Sequence, residues 1–289
     1  MKLALGTVQF GLDYGVANNI GKVTFRGAEK ILGLAKANGI NTLDTAISYG
    51  ESEANLGKLN VEDFDVVTKL PPLPNDQRNI FEWVIEQVNN SLKRLKLKRI
   101  YGLLLHRSQD LLSVDGPIII KAIKYLKARG TIQKIGISIY RPEELELIKN
   151  KIKLDLVQAP LNVIDRRFQM SGWLDLCKND GVEIHIRSVF LQGLLLMDKE
   201  KRPRKFDRWG NILDRWMYEL HKSNLSPLVA SLSYVRSVKQ IDRVIVGVDN
   251  ELHLLEIISA FKSTEIPFDN SFMISNDVDL IEPSRWTDL

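Results

Sequence analysis

The chain has 289 residues, 44% of them hydrophobic and 26% charged, which is the composition of an ordinary globular protein with a large core. Its formal net charge is +4, and the basic residues are scattered along the sequence, which argues against a nucleic-acid partner. Polar residues break the apolar run at the N-terminus too soon for a signal peptide or a membrane span, so we expect a cytoplasmic protein that contacts no membrane.

Eight short runs of aliphatic and β-branched residues recur along the chain and predict strands. They are residues 3–7, 40–43, 65–69, 100–105, 134–139, 154–158, 182–187 and 243–246. Between them lie stretches in which apolar residues recur every three or four positions, as in amphipathic helices. The clearest are residues 76–95, 143–149, 169–177 and 252–261. The single cysteine, Cys177, falls on such an apolar stripe and is expected to be a buried thiol.

The alternation of eight predicted strands with helical stretches in one chain indicates the fold class. A (β/α)8 TIM barrel typically has about 250 residues, so we expect one barrel domain over residues 1–289 rather than a doubly wound sheet. The tail, residues 267–289, lacks a helical period and is expected to lie over the barrel mouth. On the seventh predicted strand, His185 shares a face with Glu183 and Arg187, which indicates a packed polar layer inside the barrel.

Four side chains of different chemistry fall at or just beyond the ends of three successive predicted strands: Asp44, Tyr49, Lys69 and His106. Because the carboxyl ends of neighbouring parallel strands lie side by side, these groups should meet in one pocket. No glycine-rich dinucleotide motif follows the first strand, no Walker loop is present, and the histidines lack the spacing of metal ligands. The pattern predicts an enzyme without a metal.

The four groups suit the reduction of a carbonyl. Hydride addition makes an alkoxide, which needs a proton donor and nearby positive charge. Tyr49 can donate the proton, because a neighbouring ammonium such as Lys69 stabilises a phenolate. Asp44 can keep Lys69 charged, and His106 can orient the carbonyl oxygen. Spacing alone leaves a second interpretation open, a structural ion pair beside a packed tyrosine and histidine.

Residues 41–57 carry the most specific motif of the chain, Asn-Thr-Leu-Asp-Thr-Ala-Ile-Ser-Tyr-Gly-Glu-Ser-Glu-Ala-Asn-Leu-Gly. This stretch resembles the signature of the aldo-keto reductase family. The family's later landmarks follow in order at residues 67–69, 104–106, 136–138, 157–158, 247 and 256. The resemblance implies a (β/α)8 barrel and a nicotinamide cofactor, NADPH or NADH, held without a Rossmann motif. It also implies that Asp44, Tyr49, Lys69 and His106 are the catalytic residues.

The resemblance further implies a set of cofactor contacts. They are Thr7, Asp44, Ser138, Gln158, Arg187, Ser188, Phe190, Gly193, Gly247, Asp249, His253 and Glu256. Arg187 stands where relatives have an aromatic residue that stacks on the nicotinamide; a planar guanidinium could lie on that ring and favour the reduced cofactor. Gly247 and His253 replace residues that hold a 2′-phosphate in many relatives, so the choice between NADPH and NADH stays open.

The function implied is an NAD(P)H-dependent oxidoreductase. It would reduce an aldehyde, ketone or sugar carbonyl, or oxidise the corresponding alcohol or lactol, with Tyr49 as general acid. Segments 6–16 and 187–193 resemble a bacterial subgroup associated with carbohydrate metabolism. Two alternatives remain, a weakly catalytic regulatory or nucleotide-binding member of the fold and a Schiff-base aldolase that uses Lys69.

One basic segment stands apart, with six lysine and arginine residues at positions 199–208, after the seventh predicted strand. As a flexible loop it could fold over the cofactor pyrophosphate or over a phosphorylated substrate. It could also be a solvated loop that binds nothing. Substrate identity depends on such loops and does not follow from the sequence.

Overall fold

The computed structural model describes residues 1–263 and 268–289, and a closed barrel of eight strands forms its centre. Each strand pairs in parallel with the next along the chain, and the last pairs with the first. The strands are β1 (Lys2–Gly6), β2 (Thr42–Asp44), β3 (Asp65–Leu70), β4 (Ile100–Leu105), β5 (Ile132–Ser138), β6 (Leu156–Pro160), β7 (Glu183–Arg187) and β8 (Arg243–Gly247). The predicted (β/α)8 TIM barrel is confirmed, and no strand end is displaced by more than two residues.

Helices connect the strands and surround the barrel. They are α1 (Phe25–Ala37), α2 (Ser52–Lys58), α3 (Ile80–Leu95), α4 (Gln109–Leu112), α5 (Gly116–Ala128), α6 (Glu143–Ile148), α7 (Arg167–Met170), α8 (Trp173–Asn179), α9 (Gly210–Lys222), α10 (Pro227–Ser237), α11 (Glu251–Lys262) and α12 (Val278–Ile281). In the described parts of the chain, no helix is long and apolar enough to span a membrane. Cys177 is buried on α8, as predicted.

The barrel interior is built in layers. Because side chains two residues apart share a face of a strand, each strand sends alternate residues inward. Val67, Leu104 and Leu156 form a small buried cluster separate from the main core. Gly136 makes room for them, since a Cβ there would lie 2.4 Å from the Leu104 Cδ2 atom. Two positions farther along the chain from each of these residues stand the polar residues Lys69, His106 and Gln158, so a polar layer replaces the apolar one.

A second polar layer lies at the opposite, amino-terminal end of the strands. His185 is fully buried, and its Nε2 atom lies 3.0 Å from Glu183 Oε1. Tyr101 donates to Glu183 at 2.7 Å, and Lys134 also bonds this carboxylate. Burial opposes the charge of Glu183, but the bonds from His185, Lys134 and Tyr101 outweigh it and lower the Glu183 pKa. The predicted polar layer is confirmed for His185 and Glu183 and is structural, whereas Arg187 lies at the carboxyl end of β7 and borders a cavity there.

Two predicted helices differ from those observed. The predicted helix at residues 169–177 is wrong as a single element: Gly172 adopts a left-handed φ of 81° and divides the segment into α7 and α8. The helix predicted from residue 76 starts at Ile80, with residues 71–79 forming a loop after β3. The others agree to within one residue at each end.

The C-terminal tail borders the barrel mouth, as predicted, although Pro267 lies outside the described residues. Glu282 accepts hydrogen bonds from Arg141 at 2.9 Å and from Arg167 at 2.9 Å. The Trp286 ring meets Phe206 edge-on, with 4.7 Å between the centroids. The tail also contains α12, a helix for which the sequence has no periodic pattern. These contacts hold the tail against the loops that follow β5, β6 and β7.

Candidate active site

Asp44, Lys69 and Tyr49 meet at the carboxyl end of the barrel. Asp44 ends β2 and Lys69 is the penultimate residue of β3, and both side chains are buried. Lys69 Nζ donates to Asp44 Oδ2 at 2.7 Å and to the Thr45 carbonyl at 2.8 Å. The same atom lies 5.0 Å from the centroid of the Tyr49 ring. The ends of β2 and β3 therefore bring these groups together as expected.

The charge on Lys69 is fixed by its partners. Burial acts to lower the pKa of Lys69, but the Asp44 carboxylate and the Tyr49 hydroxyl outweigh it, so the pKa is raised. Lys69 is therefore an ammonium at neutral pH. A buried cation beside a phenol stabilises the phenolate that forms when the phenol gives up its proton.

His106 completes the group from the residue after β4. Its ring centroid lies 6.2 Å from that of Tyr49, and the two rings are nearly perpendicular. Burial, followed by the charges of Lys69 and Arg187, lowers the pKa of His106 to about 4. His106 is therefore a neutral imidazole near pH 7, and a neutral imidazole can hydrogen-bond a carbonyl oxygen without adding a charge.

Close backbone contacts hold the Tyr49 loop against the loop after β1. A Cβ on Gly11 would lie 1.9 Å from the Tyr49 carbonyl oxygen, so only glycine fits there. Ser52 Oγ donates to the Thr7 carbonyl at 2.8 Å, and Gly50 has a left-handed φ of 52°. Two glycines and a serine thus fix the position of the phenol.

The remaining residues of the signature motif are structural. The buried carboxylate of Glu53 accepts bonds from Thr68 at 2.7 Å, Ser91 at 2.6 Å and Arg94 at 2.8 Å. A Cβ on Gly57 would lie 2.0 Å from the Arg94 carbonyl, so α2 packs directly on the end of α3. The motif therefore has two parts. Asp44 and Tyr49 line the cavity, and Glu53 and Gly57 anchor α2 against β3 and α3.

The four groups lie in a cavity of about 560 Å³ at the barrel mouth. All twelve positions expected to contact a cofactor line it: Thr7, Asp44, Ser138, Gln158, Arg187, Ser188, Phe190, Gly193, Gly247, Asp249, His253 and Glu256. A long cavity that runs from the Tyr49 phenol to α11 suits an extended ligand. Lining the cavity shows only where these residues lie, and several of their side chains already have hydrogen-bond partners within the protein.

Three of the lining residues form hydrogen bonds within the protein: Thr7, Ser138 and Gln158. Thr7 Oγ1 donates to the Asp44 carbonyl at 3.0 Å, so its hydroxyl supports the backbone at Asp44. Gln158 Nε2 donates to Asp44 Oδ1 at 2.6 Å, and Ser138 Oγ donates to Gln158 Oε1 at 3.2 Å. These two side chains connect β5 and β6 to the pair of Lys69 and Asp44. Each can form further hydrogen bonds with a ligand in the cavity.

The cavity wall near α11 is acidic, and buried side-chain oxygens there have no hydrogen-bond partner among the described residues. Asp249 follows β8, and its buried Oδ1 atom has no hydrogen-bond partner among the described residues. His253 Nδ1 lies 3.8 Å from the other carboxylate oxygen. Burial raises the pKa of Asp249. Gln9 Oε1 is likewise buried without a partner in the part of the chain that the structure describes, and it packs against Gly247. Unpaired buried acceptors in a cavity wall fit a ligand that donates hydrogen bonds.

The loop after β7 is strained. Ser188, Leu191 and Gln192 all have left-handed φ values, of 63°, 48° and 54°, which β-carbon-bearing residues seldom adopt. A Cβ on Gly193 would lie 2.4 Å from Ala17 Cβ, so this loop touches the loop after β1. The two loops together close one side of the cavity, where Phe190 also lies.

Tyr14, Tyr140 and Gln192 also line the cavity, although the sequence did not single them out as site residues. Tyr14 OH accepts a bond from Gln192 Nε2 at 3.1 Å. The Arg187 guanidinium lies 4.5 Å above the Tyr140 ring centroid and donates to the Ile139 carbonyl at 2.9 Å. These contacts join loops that are far apart in the chain. The one sequence signal that could have suggested Tyr140 is an aromatic residue two positions after the end of β5.

The basic segment is not the free cationic loop that the sequence predicted. It forms two 3-10 helices, Lys199–Lys201 and Arg204–Trp209. The Arg202 side chain is only 4% exposed and pairs with Asp214 at 2.9 Å. Lys201 borders the main cavity and Lys205 borders a second, smaller one.

The fold and the pocket define a class, a (β/α)8 barrel with an acid, a phenol, an ammonium and an imidazole at its mouth. A model of the Aldo/keto reductase family matches residues 2–274, and the chain belongs to that family.

Similar proteins come from several bacteria. L-glyceraldehyde 3-phosphate reductase of Escherichia coli K12 is 29% identical over 205 residues, 64% of this chain and 59% of that protein. An NADH-specific methylglyoxal reductase of the same organism is 28% identical over 179 residues, 54% of each chain. The matched segment thus spans between half and two thirds of these relatives. Among solved structures, the holo form of an aldo-keto reductase from Bacillus halodurans superposes with a TM-score of 0.74 at 21% identity, over 94% of this chain and 89% of that one. That likeness shows the fold.

Proposed function

We propose that this protein is a nicotinamide-dependent reductase of small aldehydes, ketones or sugar carbonyls, able to run in reverse on the corresponding alcohol or lactol. The observation that carries the proposal is the buried contact of Lys69 with Asp44 beneath the Tyr49 phenol. Family membership and relatives named as carbonyl reductases support it. A place in carbohydrate metabolism and the cytoplasmic location belong to the same proposal.

The residues present suit a nicotinamide dinucleotide. Ser138 offers a hydroxyl and Gln158 an amide for the carboxamide group, and Asp249 and Glu256 line the end where the adenosine would lie. The unpaired buried oxygens of Gln9 and Asp249 fit the donors of such a ligand. When bound, the reduced cofactor supplies a hydride to the carbonyl carbon and becomes oxidised.

The side chains of the protein supply the rest of the reaction. Tyr49 donates its hydroxyl proton to the carbonyl oxygen, which becomes the alcohol. The Lys69 ammonium stabilises the phenolate left on Tyr49 until a proton from solvent restores it, and Asp44 holds that ammonium in place. The neutral His106 imidazole orients the carbonyl oxygen toward the phenol.

Both alternative functions have less support. A Schiff-base lysine must lose its proton to act as a nucleophile, whereas the pKa of Lys69 is raised and its Nζ is bonded to a carboxylate. A binding protein without turnover would not require a buried ammonium beside a phenol that faces the cavity. Borohydride treatment with a carbonyl substrate should therefore leave Lys69 unmodified.

We also infer that NADH is preferred over NADPH. One Asp249 carboxylate oxygen in the cavity wall has no hydrogen-bond partner among the described residues, and the other lies 3.8 Å from His253 Nδ1. A carboxylate can accept a hydrogen bond from the ribose 2′-hydroxyl of NADH and repels the 2′-phosphate of NADPH. The resemblance to a relative named as NADH-specific is in line with this inference.

Replacing Tyr49 tests the proposal. In Tyr49→Phe only the hydroxyl is lost, so cofactor affinity should persist while turnover of a carbonyl falls by about two to four orders of magnitude. Tyr218→Phe is the matched control, because Tyr218 is 66% exposed on α9 and lies outside the cavity. Cofactor binding is followed by fluorescence and turnover by loss of nicotinamide absorbance. Retention of a tenth or more of the turnover in Tyr49→Phe would refute the assignment.

A further inference from the structure

A second cavity, of about 430 Å³, adjoins the one that holds the four catalytic groups. Both cavities are bordered by Tyr14, Tyr140, Arg187, Ser188 and Gln192, so they are two chambers separated by one set of side chains. The outer wall of the second chamber is the C-terminal tail at residues 283–287. A substrate whose carbonyl faces Tyr49 can thus extend past Arg187 toward the tail.

Two cations of the second chamber lack carboxylate partners. Arg187 donates to the Ile139 carbonyl at 2.9 Å and to Ser188 Oγ at 3.2 Å, and within the described residues it forms no ion pair. Lys205 Nζ donates to the Trp286 carbonyl at 2.6 Å and likewise has no carboxylate partner in the described parts of the chain. The nearby Arg202 and Arg208, in contrast, are paired with acids.

The chamber wall adds neutral donors to this positive charge. The Ser188 and Tyr14 hydroxyls and the Gln192 amide border it, and Asp13 is the single carboxylate among the bordering residues. The Tyr140 ring covers one face of the Arg187 guanidinium, and the edge that carries its remaining N–H groups is not used by any acid in the described residues. A guanidinium and an ammonium on the wall of one chamber can together bind a phosphate or a carboxylate.

We propose that the second chamber binds an anionic group of the substrate, so that the preferred substrates are short carbonyl compounds carrying a phosphate or a carboxylate. The inference rests on the proposed reductase function and narrows its substrate class. Arg187 borders both chambers and can contact the cofactor as well. Lys205 borders only the second chamber, so its replacement tests the anion site and leaves the cofactor site unchanged.

The test compares two charged aldehydes with neutral ones of similar size, in the wild type and in Lys205→Met. Glyceraldehyde 3-phosphate is paired with glyceraldehyde, and succinic semialdehyde with butanal. Losing one charge-assisted hydrogen bond should raise KM for the charged aldehyde about tenfold, with kcat and the neutral KM unchanged. Lys205→Arg should restore the wild-type KM. Lys199→Met is the matched control, since Lys199 is in the same segment, is paired with Asp214 and borders neither chamber.

A binding measurement separates this inference from the reductase proposal. Calorimetric titration with glycerol 3-phosphate, with succinate and with glycerol needs no turnover, and the two anions distinguish a phosphate site from a carboxylate site. If charged anions bind and Lys205→Met weakens them while no carbonyl is reduced, the anion site stands and the reductase proposal falls. If neutral aldehydes are reduced with KM within twofold of their charged counterparts, or if neither anion binds, the inference is overturned. An unchanged Tm in Lys205→Met checks that the bond to Trp286 was not needed for folding.

Discussion

The sharpest test of cofactor choice is Asp249→Asn, which keeps the shape of the side chain and removes its charge. The carboxylate is 18% exposed and its Oδ1 atom has no partner in the described residues, so little within the protein neutralises it. Two unit charges about 4 Å apart interact with about 4 kcal/mol at an effective dielectric constant near 20. Partial exposure and salt reduce that repulsion to roughly 2 kcal/mol.

The expected change in affinity follows from that figure. Removing about 2 kcal/mol of repulsion tightens NADPH binding about thirtyfold. NADH should weaken no more than about fivefold, because the amide oxygen of asparagine still accepts a hydrogen bond from the 2′-hydroxyl. Fluorescence titration with each cofactor gives both dissociation constants. Asp63→Asn is the control, since it removes the same charge from the 70% exposed surface pair with Lys36. An NADPH affinity that changes less than threefold in Asp249→Asn would refute the reasoning.

The same carboxylate gives the wild type a pH dependence. Burial raises the pKa of Asp249, so it takes up a proton at a higher pH than an ordinary carboxyl group does. The charged form repels NADPH, and protonation removes the repulsion. Discrimination against NADPH should therefore be strongest above the raised pKa of Asp249 and weaken as pH falls through it. In Asp249→Asn the ratio of the two dissociation constants should not vary with pH in that range.

Two further predictions concern the catalytic groups. Asp44→Asn and Lys69→Met should each lower kcat, and the double variant should lose little more than the worse single variant, because Asp44 acts by holding Lys69; losses that multiply in steady-state kinetics would contradict this. Because the pKa of His106 is lowered to about 4, its protonation should cause no inflection in the rate between about pH 5 and pH 8; an inflection near 6.5 that disappears in His106→Gln would show a charged imidazole instead.

The sequence predicted the barrel and the position of the four groups for a physical reason. Strands buried on both faces are short and nearly continuously apolar, so each was visible without its neighbours. Once eight were counted, parallel closure placed Asp44, Lys69 and the residues after β2 and β4 at one end. Alternation along a strand likewise placed His185 in the interior.

Features that depend on contacts between distant loops could not be predicted in this way. The second chamber joins residues of the loops after β1, β5 and β7, of the end of β7 and of the tail, namely Tyr14, Tyr140, Arg187, Lys205 and Trp286. No periodic pattern links such positions. The basic segment shows a second kind of failure. Its six cations suggested a free loop, but Asp214 and Asp279, which follow later in the chain, form ion pairs with several of them. Charge counted along a sequence does not include partners supplied by the fold.

The charges along the two chambers suggest how one active site can distinguish two phosphorylated molecules. Asp249 and Glu256 border the end of the main cavity that would hold the adenosine, where a third phosphate on the cofactor would meet negative charge. Arg187 borders both chambers and Lys205 borders the second, where an anionic substrate would meet positive charge. Under the two proposals, this arrangement would disfavour the extra phosphate on the cofactor and favour an anion on the substrate. Because different residues impose the two preferences, reversing one by Asp249→Asn should leave the other intact, and the KM ratio of charged to neutral aldehydes should be the same in that variant as in the wild type.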